Sequence, residues 1–213
     1  MTPGGEQRDY HSPLRDRRAA ETRRLILAAA HRLIIERGYG TTTMRDIAAE
    51  AGVAVQTIYS SIGSKRDLLS AFIDQMEDDA NVEGAPAMFL GTENPREHLL
   101  IRAYWSRRIF SAGIETSELL INSLGTSPEI QELIEEGNAR HRRSVQEWIV
   151  DRWQDDVFRD VLSRDEALDI ISTMSGIDVY RWLVRQYGWP PEQYETWLYQ
   201  SLIELVLSEK YRT

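Results

Sequence analysis

The stretch VQTIYS, which begins at Val55, places short or planar polar side chains on successive turns of a predicted helix. Gln56 carries an amide that can pair with the edge of an adenine, and Val55 and Thr57 carry methyl groups that can pack on a thymine methyl. Tyr59 and Ser60 carry hydroxyls that can reach a phosphate or a base. These residue types on one helix indicate a helix that recognises bases in the major groove of DNA. The alternative is an exposed helix that has no binding role.

Cations at the start of the next predicted helix are a second feature of this region. Lys65 and Arg66 lie in its first turn, where each positive charge opposes the helix macrodipole by about 0.3–1 kcal/mol. Ser64 and Asp67 stand at capping-box spacing at the same point. A bound phosphate reverses the unfavourable sign, because helix N-terminal amides and a lysine both favour an anion. The pattern therefore indicates a phosphate contact at Lys65.

Three short helices must position these side chains. In the first, apolar residues recur at three- and four-residue steps from Thr22, and the stripe ends at Gly38. The second, TTTMRDIAAEAG, has Thr43 and Asp46 at capping-box spacing and closes at Gly52. The third is VAVQTIYSS. A helix, a glycine turn and a second helix form the pattern of a helix-turn-helix.

Residues 22–69 resemble the DNA-binding region of the TetR family of transcriptional regulators. The resemblance rests on these matching residues: Ile26, Leu27, Ala29, Ala30, Gly38, Tyr39, Thr42, Thr43, Ile47, Ala48, Ala51, Gly52, Val53, Thr57, Ile58, Tyr59, Ser64 and Lys65. It implies a homodimer that binds a near-palindromic operator. It also implies that a small molecule in a second helical domain shifts the spacing of the two recognition helices. The side chains that we assign to DNA contact are Thr42, Thr43, Arg45, Val55, Gln56, Thr57, Tyr59, Ser60 and Lys65.

The sequence departs from the family pattern at two points. Ala54 stands where the family usually has a serine, so we expect the recognition helix to lack a hydroxyl cap. Ser60, Ser61 and Ile62 replace a common aromatic run after the tyrosine, so a phosphate contact usually made by a ring is expected to be weaker or differently placed.

Charge is unevenly distributed along the 213 residues, whose formal net charge is -9. Residues 1–66 carry 11 Lys and Arg against 7 Asp and Glu, whereas the remainder carries 14 against 27. A basic amino-terminal part on an acidic protein favours a polyanion as the partner of that part; chance patterning is the alternative. The absence of cysteine excludes disulfides, thiolate metal sites and a cysteine nucleophile. The four histidines are widely spaced and do not form a metal-ligand pattern, so we expect no metal site.

The chain reads as all-α, with an amino-terminal three-helix DNA-binding domain and a larger helical domain for ligand binding and dimerisation. We assign residues 1–18 to a flexible basic arm, 19–66 to the helix-turn-helix domain and 67–213 to the second domain. A fourth helix is predicted after GSKRD. It ends in an acidic connecting segment that contains Gly and Pro. Beyond it, helices are predicted over residues 96–112, 116–124, 128–155, 164–187 and 190–211.

Aromatic and apolar residues concentrate in the helices of the second domain, where they are expected to enclose a pocket, although for any single one of them ordinary core or dimer interface is the favoured interpretation. The pocket candidates are Tyr104, Trp105, Trp148, Met174 and Asp178, with Phe110, Trp153, Tyr180 and Trp182 as further members of the set. Asp178 could instead pair with Arg181 or Arg185. The last two helices offer an apolar face for a second copy of the chain. Its candidates are Ile177, Val184, Trp197, Leu198, Ser201, Leu202 and Leu205.

These patterns predict a cytoplasmic, ligand-responsive transcriptional regulator, most simply a repressor that a small, largely apolar molecule releases from DNA. Its expected partners are a double-stranded DNA operator, a small-molecule effector and itself as a homodimer, with no membrane partner and no cofactor. The acidic clusters at residues 77–79 and 155–156 are not accompanied by a nucleophile or a metal set, so we expect no enzyme. An adaptor that no longer binds DNA is the main alternative, and an all-α enzyme is the next.

Overall fold

The computed structural model describes residues 13–80, 82–123, 125 and 127–212. Within this part of the chain the regular structure is helical and there is no β-strand, which confirms the predicted all-α class. The chain divides into two compact units, the first ending at Phe72 and the second beginning at Ile73. The helices of the first unit are α1 (Pro13–Arg37), α2 (Met44–Ala51), α3 (Val55–Ser61) and the opening turns of α4 (Lys65–Ala80). The division falls within α4, later than the predicted boundary after residue 66.

Helix α1 begins well before the apolar stripe. Residues 13–18 are helical, so their assignment to a flexible arm is wrong; residues 1–12 of that arm lie outside the described residues. Pro13 suits the first helical position, Asp16 complements the macrodipole, and no helix breaker intervenes before Thr22. The buried stripe follows as predicted. Its members are Ile26, Ala29, Ala30, Leu33 and Ile34, each at most 3% exposed.

Helices α2 and α3 are bounded by local signals. The hydroxyl of Thr43 accepts a hydrogen bond from the backbone of Asp46, whose carboxylate accepts one from the Thr43 backbone in return. Gly52 ends α2 at φ 67°, a left-handed conformation that glycine adopts without strain. Helix α3 starts after Ala54, which makes no side-chain cap, as its residue type predicts. Ile58 is fully buried and anchors α3. The predicted helix-turn-helix is present.

The second unit contains the rest of α4 and seven further α-helices within its described residues. They are α5 (Ala85–Leu90), α6 (Pro95–Asn122), α7 (Pro128–Trp148), α8 (Arg164–Met174), α9 (Ile177–Tyr180), α10 (Pro191–Val206) and α11 (Glu209–Arg212). The predicted connection after α4 therefore contains a short helix. The predicted helix over 164–187 is interrupted after Met174, and α9 continues into a wider π-turn at Arg181–Gln186.

The core of the second unit is built around α6 and α10, which pack along each other. Leu99 and Ala103 of α6 and Leu198 and Leu202 of α10 are fully buried. None of the described helices is long and apolar enough to cross a membrane.

Gly113 produces a kink inside α6 where the sequence predicted a break between two helices. Its backbone leaves the helical region, at φ −115° and ψ 19°. A Cβ atom at this position would lie 1.9 Å from Cγ of Met76, so the absence of a side chain permits the close approach of α4 and α6 in this unit.

Candidate DNA-binding surface and ligand cavity

Helix α3 turns its polar residues to the surface of the first unit. Gln56, Tyr59 and Ser60 are exposed, and the Tyr59 side chain keeps 51% of its area accessible. Val55 and Thr57 are half-buried. The Ser60 hydroxyl donates to the Thr57 carbonyl oxygen at 3.1 Å, which holds it close to the helix. Five of the residues assigned to DNA contact therefore lie on one short helix whose opposite side is anchored in the core.

The two threonines before α2 differ in what they do. Thr42 is 2% exposed, and its hydroxyl donates to the carbonyl oxygens of Leu33 and Gly38 at 3.2 and 2.9 Å. The prediction that the Thr42 side chain contacts DNA is therefore wrong, because its hydroxyl secures the turn between α1 and α2. Thr43 is exposed and caps α2. Arg45, in the first turn of α2, is exposed and stays a candidate for phosphate contact.

Lys65 is held in place by groups of its own unit. Its ammonium donates to the carbonyl oxygen of Tyr39 and lies 4.1 Å from the centre of the Tyr39 ring. Asp67 caps the same helix end, since its carboxylate accepts from the Ser64 amide at 2.7 Å and from the Ser64 hydroxyl at 2.8 Å. The Ser64 backbone hydrogen bond is the main reason that the pKa of Asp67 lies below its usual value. The carbonyl, the ring and this carboxylate together offset the cost of a cation at a helix start, so a phosphate is not required to explain Lys65.

Sequence reasoning missed Arg23, an α1 residue that stabilises the end of α3. The Arg23 guanidinium donates to the carbonyl oxygen of Ser61 at 3.2 Å. A cation beside the last carbonyl groups of a helix complements the macrodipole. Their separation of 38 positions in the chain explains why no local pattern signals this contact.

A cavity of about 660 Å³ lies within the second unit, between residues of α4 to α9. This volume falls in the range of roughly 300–1,000 Å³ that is usual for small-molecule sites. Trp105, Trp148 and Asp178 line it, as do Phe89 and Phe110. Most of its wall is therefore aromatic or aliphatic.

Two pocket candidates do not line the cavity. The Tyr104 ring packs edge-on against Trp105 at 5.2 Å between ring centres, beside the guanidinium of Arg108. Met174 packs against the hydrophobic core at the end of α8. Both predictions are wrong, because neither side chain is among those that line the cavity. Of the wider set, Trp153 and Tyr180 are core residues at 2% exposure, and Trp182 is 52% exposed.

Arg102 is a cavity residue that sequence reasoning did not single out. The residue is only 8% exposed, yet among the described residues no carboxylate is a hydrogen-bond or ion-pair partner of its guanidinium. Nε donates to the Ser175 hydroxyl at 3.0 Å, Nη1 to the Ser144 hydroxyl at 3.2 Å, and Nη2 to Nδ1 of His141 at 2.6 Å. Burial lowers the pKa of Arg102 to about 10, so the group keeps its positive charge at neutral pH.

His141 is a neutral partner of this guanidinium. Its Nδ1 must accept from Arg102, and its Nε2 lies 2.9 Å from the carbonyl oxygen of Ser172, which requires a proton on Nε2. Both contacts are satisfied by one neutral tautomer. Burial, with a further contribution from the Arg102 charge, lowers the pKa of His141 to about 3. His141 therefore does not compete for the positive charge of Arg102 at neutral pH.

The other charged groups along the cavity have partners of opposite charge. Arg140 pairs with Glu77 at 3.4 Å, and Arg142 pairs with Asp169. Asp178 pairs with Arg181 at 3.5 Å, which confirms the ion-pair interpretation of that residue, and its side chain is 76% exposed. Arg102 thus differs from the other charged lining residues that the structure describes.

Two further donors at the cavity have no hydrogen-bond partner within the described chain. They are the indole nitrogen of Trp105 and the hydroxyl of Ser172, and both atoms are buried. Buried polar groups without partners are uncommon in folded proteins and require an explanation such as an unfilled ligand position. No group of three or more His, Asp or Glu residues in the described chain is arranged to hold a metal ion.

The face predicted for self-association is only partly available. Leu198 and Leu202 are fully buried within one chain, so both are core residues and their assignment to an interface is wrong. Leu205 is 39% exposed, and Trp197 and Ser201 are partly exposed beside it. Of the remaining candidates, Val184 is half-buried, and Ile177, also half-buried, lines the cavity.

A capped α2, a glycine turn and a solvent-facing α3 form a helix-turn-helix, an arrangement used by many DNA-binding proteins. Residues 26–72 match the family model described as bacterial regulatory proteins, tetR family. Through these residues the amino-terminal part of the chain is similar to the TetR family of transcriptional regulators, and the resemblance found in the sequence is confirmed for that part.

Similarity to individual proteins extends beyond this domain. The chain is 30% identical over 130 residues to the transcriptional regulator HbdR of Aromatoleum sp. (strain CIB), covering 61% of this chain and 56% of HbdR. The match thus spans little more than half of that relative. The fold is similar to that of NalD, the secondary repressor of the MexAB-OprM multidrug efflux pump in Pseudomonas aeruginosa, at TM-score 0.74 and 17% identity over 91% of this chain and 99% of NalD. A regulator from Saccharomonospora viridis, solved with choline, aligns at TM-score 0.63 and 22% identity over 89% of this chain and all of its own.

Proposed function

We propose that the protein is a cytoplasmic transcriptional repressor that binds a near-palindromic operator as a homodimer and leaves it when a small, largely apolar molecule enters the second unit. The single observation that carries the proposal is the solvent-facing α3, with Gln56 and Tyr59 exposed above the buried anchor Ile58. A helix of this kind fits the major groove, whose base edges offer the donors and acceptors that an amide can bind.

A mobility-shift titration on DNA from upstream of the protein's own gene tests the DNA-binding step. Gln56→Ala removes the amide proposed to read a base, and we expect the apparent affinity to fall by about five- to a hundredfold, in line with about 1–3 kcal/mol for a bidentate base contact. The matched control is Gln146→Ala, which alters an exposed glutamine of α7 in the second unit. Equal affinity of the two variants would remove Gln56 from the interface.

Complete failure of the wild-type protein to bind this DNA or a randomised operator library at low salt would overturn the repressor proposal. The adaptor alternative would then be favoured, because the cavity would still offer a binding site. Ala54, which leaves α3 uncapped, is the residue that makes this outcome worth testing.

The proposed homodimer uses the surface of α10 that the single chain leaves uncovered. Trp197, Ser201 and Leu205 lie on that surface, and Tyr187 is 65% exposed on the segment before it. Aromatic residues exposed next to an aliphatic one are typical of interface cores. Two operator half-sites about 34–36 Å apart require two linked recognition helices, so DNA binding and pairing support each other.

Sedimentation equilibrium tests the pairing. Leu205→Arg places a charge in the proposed interface, and we expect the dimer to weaken at least tenfold while the fold is kept. Leu90→Arg, at a leucine of α5 that is 59% exposed, is the control and should leave the dimer unchanged. A wild-type protein that stays monomeric at high micromolar concentration would contradict the proposal.

A ligand releases the repressor if it binds the DNA-competent arrangement less well than another arrangement of the dimer. The cavity of about 660 Å³ supplies the space for such a molecule. We expect ligand binding to quench tryptophan fluorescence, because Trp105 and Trp148 form part of the wall. The same ligand should weaken the mobility shift.

A further inference from the structure

We propose that the molecule taken by the cavity of the second unit is an amphipathic monoanion, an apolar compound that ends in a carboxylate, and that the carboxylate pairs with the guanidinium of Arg102. The inference rests on the proposed function, in which this cavity receives the effector. It adds the chemical class of that effector.

The charge of Arg102 is the first step. A guanidinium that is 8% exposed has lost most of its hydration, and its partners Ser144, Ser175 and His141 are all uncharged. Burial of a charge is unfavourable unless a counter-charge accompanies it. Since the neighbouring lining cations Arg140 and Arg142 have carboxylate partners, the missing counter-charge is specific to Arg102.

The donor count gives the second step. A guanidinium has five N–H groups, and the three acceptors within the chain use one on Nε, one on Nη1 and one on Nη2. Nη2 also lies 3.3 Å from Nε2 of His141, but this nitrogen carries the proton donated to the Ser172 carbonyl and therefore accepts no hydrogen bond. One N–H on each terminal nitrogen is left, and two such groups match the two oxygens of a carboxylate. Trp105 and Ser172, whose buried indole N–H and hydroxyl have no partner in the described chain, belong to the residues that line the same cavity.

The charge of Arg102 and the other residues of the cavity wall indicate whether a carboxylate or a phosphate group fits. A single guanidinium balances one negative charge, whereas a phosphomonoester would bring nearly two. The rest of the wall includes Phe89, Phe110 and Trp148, which favour an apolar body over a second charged group. A hydrophobic carboxylic acid fits both the charge and the wall. A cation such as choline, present in the Saccharomonospora viridis structure, does not fit the charge of Arg102.

The experiment compares isosteric pairs on the full-length protein by calorimetry and tryptophan quenching. The probes are biphenyl-4-carboxylate with biphenyl-4-carboxamide, and decanoate with decanamide. We expect at least one carboxylate to bind the wild type ten times or more tightly than its amide. Equal affinities within both pairs, or no binding of either carboxylate up to millimolar concentration, would overturn the inference.

Two variants locate the preference. Arg102→Met should bring the carboxylate and amide affinities to within twofold, whereas Arg142→Met, which removes a paired cation at the same cavity, should keep the tenfold difference. If both variants lose the preference equally, general positive charge rather than the Arg102 contact would be responsible and the inference would fail. The wild-type comparison keeps the inference testable even where Arg102→Met does not fold.

The mobility shift separates this inference from the proposed function. Wild-type protein that binds DNA but does not prefer carboxylates contradicts only the ligand class. Protein that prefers carboxylates through Arg102 but never binds DNA contradicts the repressor proposal and leaves the ligand class standing.

Discussion

Surface cations of the first unit and one buried cation of the second unit lie in opposite environments. In the first unit, cations such as Arg45 and Arg32 lie at the surface, and Arg32 pairs with Glu50 across exposed side chains. In the second unit, Arg102 is buried among uncharged groups. Surface cations are solvated and act on a partner through long-range attraction, whereas a buried cation acts only on a group that reaches it. The first arrangement suits a polyanion of many similar phosphates, and the second suits one small anion.

The largest expected effect is that salt weakens DNA binding by the first unit much more than carboxylate binding in the cavity of the second unit. Raising sodium chloride from 50 to 200 mM should weaken DNA binding by about a hundredfold or more, because phosphate contacts release counterions. The carboxylate preference of the cavity should change less than threefold, since buried charges are poorly screened. Mobility shift and calorimetry in the same buffers check both. A DNA affinity that does not change with salt concentration would contradict the proposed phosphate contacts of the first unit.

Stability provides the second comparison. Arg102→Met should raise the free energy of unfolding by about 1–3 kcal/mol, because it removes a buried charge and keeps much of the side-chain volume. Arg23→Met in the first unit should lower it by about 1 kcal/mol or less, through loss of the bond to the Ser61 carbonyl. Urea unfolding of the unliganded protein measures both. A strong loss of stability in Arg102→Met would instead assign Arg102 a structural role.

The pH dependence of stability follows from His141, whose pKa is lowered to about 3 in the folded protein from 6.5. The unfolded chain binds the proton more readily, so stability should fall as the pH decreases from about 6.5 toward 3. The expected slope is about 1.4 kcal/mol per pH unit for one proton. His141→Gln keeps a neutral donor and acceptor but does not titrate. Unfolding curves at pH 5.5 and 4.5 should therefore differ less for this variant than for the wild type, and equal differences would refute the assignment.

The smallest expected effect concerns the uncapped α3. Ala54→Ser supplies a hydroxyl at the helix start, and we expect a gain of about 0.5–1 kcal/mol in the stability of the first unit. Thr43→Ala, which removes the existing cap of α2, should produce a loss of similar size. Hydrogen exchange of the α2 and α3 amides distinguishes the two helices. No change in protection of α3 in Ala54→Ser would show that its start is held by other contacts.

The parts of the fold that local patterns control could be predicted from the sequence. The capping pairs Thr43 with Asp46 and Ser64 with Asp67, and the glycine after α2, involve residues three to a few positions apart. Such contacts depend on spacing alone. The corresponding helix boundaries were therefore predicted to within one or two residues.

What the sequence could not supply depends on contacts between distant segments. Arg102 meets Ser175 across 73 residues of chain, so nothing near Arg102 indicates that it is buried without a carboxylate. Leu202 and Leu205 belong to the same apolar pattern of α10, yet one is fully buried and the other is 39% exposed. Periodicity identifies an apolar face but not which neighbouring helix covers each part of it.

The kink at Gly113 gives the cavity an indirect control of its size. Met76 is part of the cavity wall, and Gly113, which is not, leaves room for Met76 only because it has no side chain. An alanine at position 113 would force Met76 to move, and the cavity wall that Met76 forms would change shape. The dimensions of the cavity are therefore governed in part by a residue that does not line it.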